Sequence, residues 1–219
     1  MVAAVVFDMD GVIADTEHVW DEVREVLVAD WGGTYSADAQ RAMMGMSSVE
    51  WSGYMHDELG LAQSPAEINA EVVRRMLERY HTALPLVDGA VSVVRELATS
   101  LPLAVASSSN RPLIDAVLET AGITACFSTT VSSEEVARGK PSPDVYLEAA
   151  RRLGVAPGTC VAVEDSGNGI RAAAAAGMKV VAYPNRVYAP DADALALAEA
   201  VIDSLAQLPH VIGLTGAQA

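Results

Sequence analysis

A short apolar run near the N-terminus, followed at once by two carboxylates and a glycine, constrains the fold of this chain more than any other feature. Residues 3–7 are all apolar and include β-branched side chains, which predicts a buried strand. Asp8 and Asp10 follow that strand, and Gly11 permits a sharp turn. Because unpaired acids beside a buried strand are costly, the pattern indicates a cation site at the carboxyl end of a parallel strand. A polar strand end with an Asx turn would have the same spacing of residues. Whether distant segments supply further polar partners therefore distinguishes a cation site from such a turn.

The composition narrows the class of protein and of partner. Half of the 219 residues are hydrophobic, enough for one large α/β domain or for a core with a modest insert. The formal charge of −15 argues against a nucleic-acid partner, and no apolar stretch is long enough to span a bilayer. Cys126 and Cys160 are far apart and lack zinc-type spacing. We therefore expect a cytoplasmic protein without a membrane partner, a monomer or alternatively a dimer.

The pattern of secondary structure divides the chain in two. From residue 16 to about residue 82 the apolar spacing is helical, and from Gly89 onward strands and helices alternate. Such alternation predicts a doubly wound α/β core with a parallel sheet and helices on both faces. The predicted domains are a core of residues 1–14 and 83–219 and a small helical cap of residues 15–82, inserted after the first strand. The predicted strands cover residues 3–7, 103–106, 129–131, 160–163, 179–182 and 200–202.

Three further segments of the predicted core carry polar groups beside strand ends or helix starts. Ser107, Ser108, Ser109 and Asn110 lead from a strand into a helix N-terminus, which suits an anion, although one of these serines is expected to cap the helix in any case. Lys140 precedes a predicted helix in a chain that has only two lysines against twelve arginines. Glu164 and Asp165 form a second carboxylate pair after a strand.

Taken together, these groups indicate phosphoryl chemistry. Carboxylate oxygens suit a hard dication, and a lysine with a hydroxyl suits the oxygens of a phosphoryl group. Asp8-Met9-Asp10-Gly11 with Asp15-Thr16, then Ser107, then Lys140, then Glu164-Asp165 occur in the order of the four motifs of one family. The chain resembles, over almost its whole length, a phosphohydrolase of the haloacid dehalogenase superfamily. It is most similar to the subgroup with a helical cap, near β-phosphoglucomutase and the sugar-phosphate phosphatases.

The resemblance implies a Rossmann-like core and a role for each motif residue. Asp8 would be the nucleophile that becomes an aspartyl phosphate, and Asp10 the general acid and base. Mg²⁺ would be bound by Asp8, the main-chain carbonyl of Asp10 and Asp165, with Glu164 assisting directly or through water. Ser107 and Lys140 would act on the transferring phosphate. The expected substrate-binding residues, for a small phosphorylated metabolite, are Ser107, Ser108, Asn110 and Lys140 from the core and Trp20 and Gly45 from the cap.

Departures from other members of the superfamily favour hydrolysis. Dehalogenating members lack an acid at the position of Asp10, and phosphonate-cleaving members need a cap lysine, which residues 14–82 do not contain. A mutase of the β-phosphoglucomutase type has a histidine at the position of Trp20 and cations at those of Met44 and Ser48. The prediction is therefore a Mg²⁺-dependent phosphatase of a small phosphorylated metabolite, with a sugar phosphate as the expected substrate. A phosphosugar mutase and a non-catalytic binding protein of the same fold are the alternatives.

Overall fold

One six-stranded parallel sheet forms the centre of the molecule. The structure, a computed structural model, describes residues 2–43, 46–185 and 189–214. The strands are β1 (Ala4–Phe7), β2 (Leu103–Ser107), β3 (Thr129–Ser132), β4 (Cys160–Glu164), β5 (Lys179–Ala182) and β6 (Ala200–Val201). They lie in the order β3-β2-β1-β4-β5-β6. This confirms the predicted α/β class and parallel sheet, and no strand boundary differs from the predicted one by more than one residue.

Helices connect the strands and cover both faces of the sheet. Among the described residues, five successive α-helices lie between β1 and β2, and helices alternate with strands from β2 to β6. Within the described ranges, no helix combines the length and apolar character needed to cross a bilayer. The helices are α1 (Glu17–Asp30), α2 (Ala37–Met43), α3 (Ser48–Asp57), α4 (Pro65–Thr82), α5 (Ala90–Ala98), α6 (Arg111–Thr120), α7 (Asp144–Leu153), α8 (Gly167–Ala175), α9 (Ala192–Leu195) and α10 (Leu208–Val211).

The two faces of the sheet are packed differently, because alternate residues of each strand point to opposite sides. Val5 and Phe7 of β1 lie in the larger apolar cluster, which includes side chains of α1, α4, α5 and α6. Ala4 and Val6 lie in the other cluster, with α7 and α8. Ala104, Ala106 and Ala162 also face that side, so small side chains meet α7 and α8 there. The sheet is thus doubly wound, as predicted.

The order of the strands places a crevice beside β1. The chain runs from β1 to β2 and β3 on one side, and then returns to β4, β5 and β6 on the other. Phe7 at the end of β1 pairs in register with Val163 of β4. Ligands of open α/β sheets bind outside the carboxyl ends of the strands at such a reversal. Asp8 and Glu164 therefore come to the same point.

The segment between β1 and α5 is helical, as its periodicity predicts. Helix α4 packs against α1 and α3 and also against α6 of the alternating region. Ser64 and Glu67 form the expected capping box at the start of α4. The two connections of this segment run side by side, since the Asp15 N–H donates to the Pro85 carbonyl and the Val87 N–H to the Ile13 carbonyl. The division into a core domain and a cap domain stays a prediction.

Candidate active site

Lys140 joins the carboxylates that follow the two central strands. Its Nζ donates to Asp8 Oδ1 at 2.8 Å and to Glu164 Oε1 at 2.6 Å. All three side chains are almost completely buried. The structure thus brings together three predicted site residues that are distant in sequence: Lys140 is 132 residues from Asp8 and 24 from Glu164. A buried ammonium between two carboxylates compensates charges that could not be buried alone.

Glu164 is held by several donors at once. Besides Lys140, its Oε1 accepts a hydrogen bond from the Tyr146 hydroxyl at 2.7 Å. Its Oε2 accepts from the main-chain N–H groups of Asp165 and Ser166 and from Ser166 Oγ. A Cβ added at Gly169, in the first turn of α8, would lie 1.8 Å from Glu164 Oε1, so this close approach requires glycine. Glu164 therefore organises the floor of the site; its role as a metal ligand stays a prediction.

Asp8, Glu164 and Asp165 form a cluster with the chemistry of a cation site. One carboxylate oxygen of each lies within 4.8 Å of the others, and all three side chains are buried. A Cβ at Gly11 would lie 1.9 Å from Asp165 Oδ2, which explains why a glycine with a positive φ follows Asp10. Hard oxygen donors of this kind suit Mg²⁺ or Ca²⁺. The donor set therefore fits the expected metal, whose identity it does not specify.

The pKa values of Asp8 and Asp165 also indicate that the cluster of buried carboxylates favours a bound positive charge. Burial, together with the charges of Glu164 and Asp10, raises the pKa of Asp8 to about 8 despite Lys140. Burial and the charges of Glu164 and Asp8 raise the pKa of Asp165 well above its usual value. Burial favours the neutral amine of Lys140, but Asp8 and Glu164 outweigh it and hold the pKa of Lys140 above normal. A dication beside Asp8 and Asp165 would favour their ionised forms.

The Asp10 carboxylate points to a different set of partners. Its Oδ1 accepts hydrogen bonds from Thr16 Oγ1 and, at 3.2 Å, from the Trp20 indole N–H. Its Oδ2 accepts from Ser109 Oγ at 2.6 Å, with Ser107 Oγ farther away at 3.5 Å. Asp10 is therefore held between α1 and the end of β2. The contact of the Asp10 main-chain carbonyl with a metal, which the resemblance implies, stays a prediction.

The polar residues after β2 take different positions. Ser107 is completely buried, and its Oγ accepts a hydrogen bond from the Ser109 N–H. Ser108 lines the cavity beside Asp8, and its buried Oγ has no hydrogen-bond partner among the described residues, so it can bind a ligand oxygen. Asn110 donates instead to Asn69 Oδ1 of α4 and to Glu134 Oε1. It joins α4 to the core and does not line the cavity.

The cavity above Asp8 has a volume of about 50 Å³ and is closed on one side by the helical segment. Trp20, as predicted, lies in its wall. Gly45, predicted to bind substrate, and its neighbour Met44 lie outside the described residues. The wall is formed by Asp8, Asp10, Glu17, Trp20, Arg24, Met43, Met46, Trp51, Ser108, Ser109, Lys140, Asp165 and Ser166.

Two charged residues of this wall were missed by the sequence analysis. Glu17 and Arg24 lie seven residues apart on α1, with Trp20 between them, so all three share one helix face. Burial and the charge of Asp10 raise the pKa of Glu17 to about 7. Burial lowers the pKa of Arg24. A charged pair at this spacing, on a helix expected to cover the site, was the signal that could have found them.

Comparisons with known proteins agree with this geometry. A family model described as haloacid dehalogenase-like hydrolase matches residues 2–177. Fructose-1-phosphate phosphatase YqaB of Escherichia coli (strain K12) is 34% identical over 192 residues, which cover 82% of this chain and 95% of that protein. Hexitol phosphatase B of the same organism is 32% identical over 219 residues, with 94% of each chain covered. The crystal structure of CbbY from Rhodobacter sphaeroides in complex with phosphate superposes with a TM-score of 0.84 at 26% identity, covering 95% of this chain and 96% of that one.

Proposed function

Because the chain belongs to the family of haloacid dehalogenase-like hydrolases, we propose that it is a Mg²⁺-dependent phosphatase that acts through an aspartyl phosphate. It is a phosphoric monoester hydrolase whose substrate is a small phosphorylated metabolite, the class to which the substrates named for its relatives belong. The observation that carries the proposal is the contact of Lys140 with both Asp8 and Glu164 at the strand reversal, with Asp165 beside them.

Asp8 and Asp10 divide the chemistry between them. An Asp8 carboxylate oxygen attacks phosphorus, and the bond from phosphorus to the leaving oxygen breaks. Asp10 donates a proton to that oxygen, since a sugar alkoxide is a poor leaving group. Water then attacks the phosphorus of the aspartyl phosphate while Asp10 accepts its proton, which releases inorganic phosphate and regenerates Asp8. The contacts of Ser109 Oγ and Ser107 Oγ with Asp10 Oδ2 support this role, because they fix the orientation of a carboxylate that lines the same cavity as the nucleophile.

Asp8, Asp165 and the main-chain carbonyl of Asp10 would hold Mg²⁺, with Glu164 assisting. When bound, the ion neutralises charge on the phosphoryl oxygens and on the clustered carboxylates. Lys140 supplies a second positive charge at Asp8. Ser108 lines the cavity and its Oγ has no partner among the described residues, so this hydroxyl can bind an oxygen of the phosphoryl group. The site therefore offers both positioning and charge neutralisation, which are the main requirements of phosphoryl transfer.

We infer a sugar phosphate as the substrate from the named relatives and from the mixed wall of the cavity. Trp20, Met46 and Trp51 supply apolar surface, and Asp10 and Glu17 supply acceptors for hydroxyl groups. Phosphosugar mutation is the competing reaction, and no contact that the described residues make in the cavity specifically favours it over hydrolysis. The assay below separates the two by their products.

Phosphate release from a panel of phosphorylated metabolites, with Mg²⁺ or with excess EDTA, tests the proposal. We expect turnover that EDTA abolishes and that Asp8→Asn reduces by several orders of magnitude. Acid-quenched wild-type protein should carry one phosphoryl group by intact mass, and Asp8→Asn none. Full activity in EDTA or in Asp8→Asn would contradict the proposal. Isomerised sugar phosphate in place of inorganic phosphate, dependent on a bisphosphate primer, would establish the mutase instead.

A further inference from the structure

Arg24 occupies an unusual position for an arginine of this chain. Its side chain projects from α1 into the cavity wall, and only 7% of the residue is exposed. The guanidinium carbon lies 4.7 Å from the ring centroid of Trp20 and 5.1 Å from that of Trp51. These two rings are themselves in edge contact, with centroids 5.9 Å apart. The guanidinium is thus held against two aromatic rings that also line the cavity.

No acidic side chain pairs with Arg24 among the described residues. Every other arginine of those residues donates to a carboxylate or to a main-chain carbonyl: Arg41, Arg74, Arg75, Arg79, Arg95, Arg111, Arg138, Arg151, Arg152 and Arg171. Arg24 is the most buried of this set, and its Nε is buried without a partner. The chain has 29 acidic residues, yet Arg24 pairs with none of the described ones, and among the described arginines it is the one that lines the cavity.

The aromatic contacts do not satisfy the guanidinium. Cation–π attraction acts on the face of the planar group and uses none of its five N–H donors. A buried donor without an acceptor is destabilising, and a buried charge without a counter-charge more so. Glu17 and Asp10 act on Arg24 electrostatically but form no ion pair with it. The free protein therefore holds a cation whose hydrogen-bonding capacity is available to a ligand.

We propose that Arg24 binds a second anionic group of the substrate, a carboxylate or a phosphoryl group carried by the leaving group beyond the scissile phosphate. This inference rests on the proposed function, since the scissile phosphate must lie at Asp8. Arginine suits the task because its fork of N–H donors matches two oxygens of one anion. The other charged residues of the cavity wall, apart from Lys140, are acids, so Arg24 is what allows a second anion to enter.

Matched pairs of substrates test the proposal in the intact, Mg²⁺-loaded enzyme. Glycerol 3-phosphate and 3-phosphoglycerate differ by a carboxylate, and fructose 1-phosphate and fructose 1,6-bisphosphate by a phosphoryl group. We expect the wild type to have the lower KM for the anionic member of at least one pair, and that pair identifies the anion. Arg24→Gln should raise this KM by roughly tenfold to hundredfold, the range for charge-assisted hydrogen bonds. The KM for the neutral member should change less than about threefold.

Arg79→Gln is the matched control, because Arg79 is an exposed cation of the same helical segment that pairs with Glu22. It should leave all four KM values unchanged. Arg24→Lys keeps the charge and loses the fork of N–H donors, so part of the selectivity for the anionic substrate should return. If circular dichroism shows that Arg24→Gln does not fold, Arg24→Lys becomes the deciding variant.

Two results would overturn the role of Arg24. One is a wild type that prefers the neutral member of both pairs. The other is an equal loss of activity toward both members of a pair in the deciding variant, which would make Arg24 structural. Neither resembles failure of the proposed function, in which the wild type itself would release no phosphate from any ester, p-nitrophenyl phosphate included.

Discussion

At the scale of single residues, Trp20 is more than apolar surface. Sequence reasoning predicted it to bind substrate, and the structure places its ring in the cavity wall and its indole N–H 3.2 Å from Asp10 Oδ1. The hydrogen bond runs from α1 to the proposed general acid. Trp20 is therefore a positioning residue for Asp10, in addition to any contact with substrate.

Replacing Trp20 by phenylalanine should separate these two roles. Trp20→Phe keeps an aromatic ring beside Arg24 and loses the donor to Asp10, so kcat for a sugar phosphate should fall by roughly tenfold, the equivalent of one net hydrogen bond. The kcat for p-nitrophenyl phosphate should fall less, because nitrophenolate leaves with little need of a proton. Steady-state kinetics on the two esters measure the difference.

Trp51→Phe is the control for that experiment. Trp51 contacts Arg24 and the Trp20 ring but has no hydrogen bond to Asp10. It should leave the ratio of the two kcat values unchanged. The same ratio in Trp20→Phe as in the wild type would mean that the indole N–H does not position the acid.

At the scale of secondary-structure elements, Glu135 links helices from opposite faces of the sheet. It lies in the 3₁₀ turn after β3 and accepts hydrogen bonds from Arg111, at the start of α6, and from Arg152, at the end of α7. Burial raises its pKa, but Arg111, the Ser132 N–H and Arg152 outweigh burial and lower the pKa to about 2. The ionised carboxylate therefore stabilises the folded state.

Glu135→Gln should destabilise the protein at neutral pH and progressively less in acid. We expect a loss of about 1 kcal/mol in the free energy of unfolding, since the partners are partly exposed. A lowered pKa in the folded state contributes stability above the unfolded value, 4.5, which is lost as the pH falls toward about 2. Urea unfolding at pH 7, 4 and 3 should show the difference between wild type and variant shrinking. Glu199→Gln, which breaks the exposed pair with Lys179, is the control. A difference independent of pH would contradict the assignment.

At the scale of the whole molecule, the cavity is small beside the proposed substrate. A cavity of about 50 Å³ holds only a few water molecules, and a sugar phosphate is much larger. We therefore expect the helical segment to move away from the core when a sugar phosphate enters. Contacts across this boundary include Asn110 with Asn69, Ser48 with Glu134, and the close approach of Gly139 to Ser47.

A disulfide across this boundary should stop turnover. A Cβ at Gly139 would lie 3.1 Å from Ser47 Cβ, within a few tenths of an ångström of disulfide geometry. Oxidised Ser47→Cys/Gly139→Cys should lose most of its activity because the cavity cannot open, and a reductant should restore it. Each single variant, with and without oxidant, controls for the proximity of Gly139 to Lys140. Full activity in the oxidised, crosslinked protein would show that substrate enters without this motion.

Local sequence patterns predicted the fold and the edge of the sheet at which the candidate site residues lie, because both depend on short-range rules. Apolar runs mark the buried strands, and parallel strands bring their carboxyl ends to one edge. Asp8, Asp10, Glu164 and Asp165 could therefore be assigned to one crevice, and the scarcity of lysine singled out Lys140. Their common edge follows from the parallel arrangement of the strands, whereas their chemical roles stay predictions.

What only the tertiary structure decided is which side chains meet across elements. Arg24 and Glu17 belong to an ordinary amphipathic helix in sequence, and only the way α1 docks in the folded protein brings them into the cavity wall. Packing likewise decided that Tyr146 binds Glu164 and that Asn110 binds Asn69 rather than facing the cavity. The reason is physical: periodicity determines which face of a helix is buried, but the partner of a buried polar group depends on how distant elements dock.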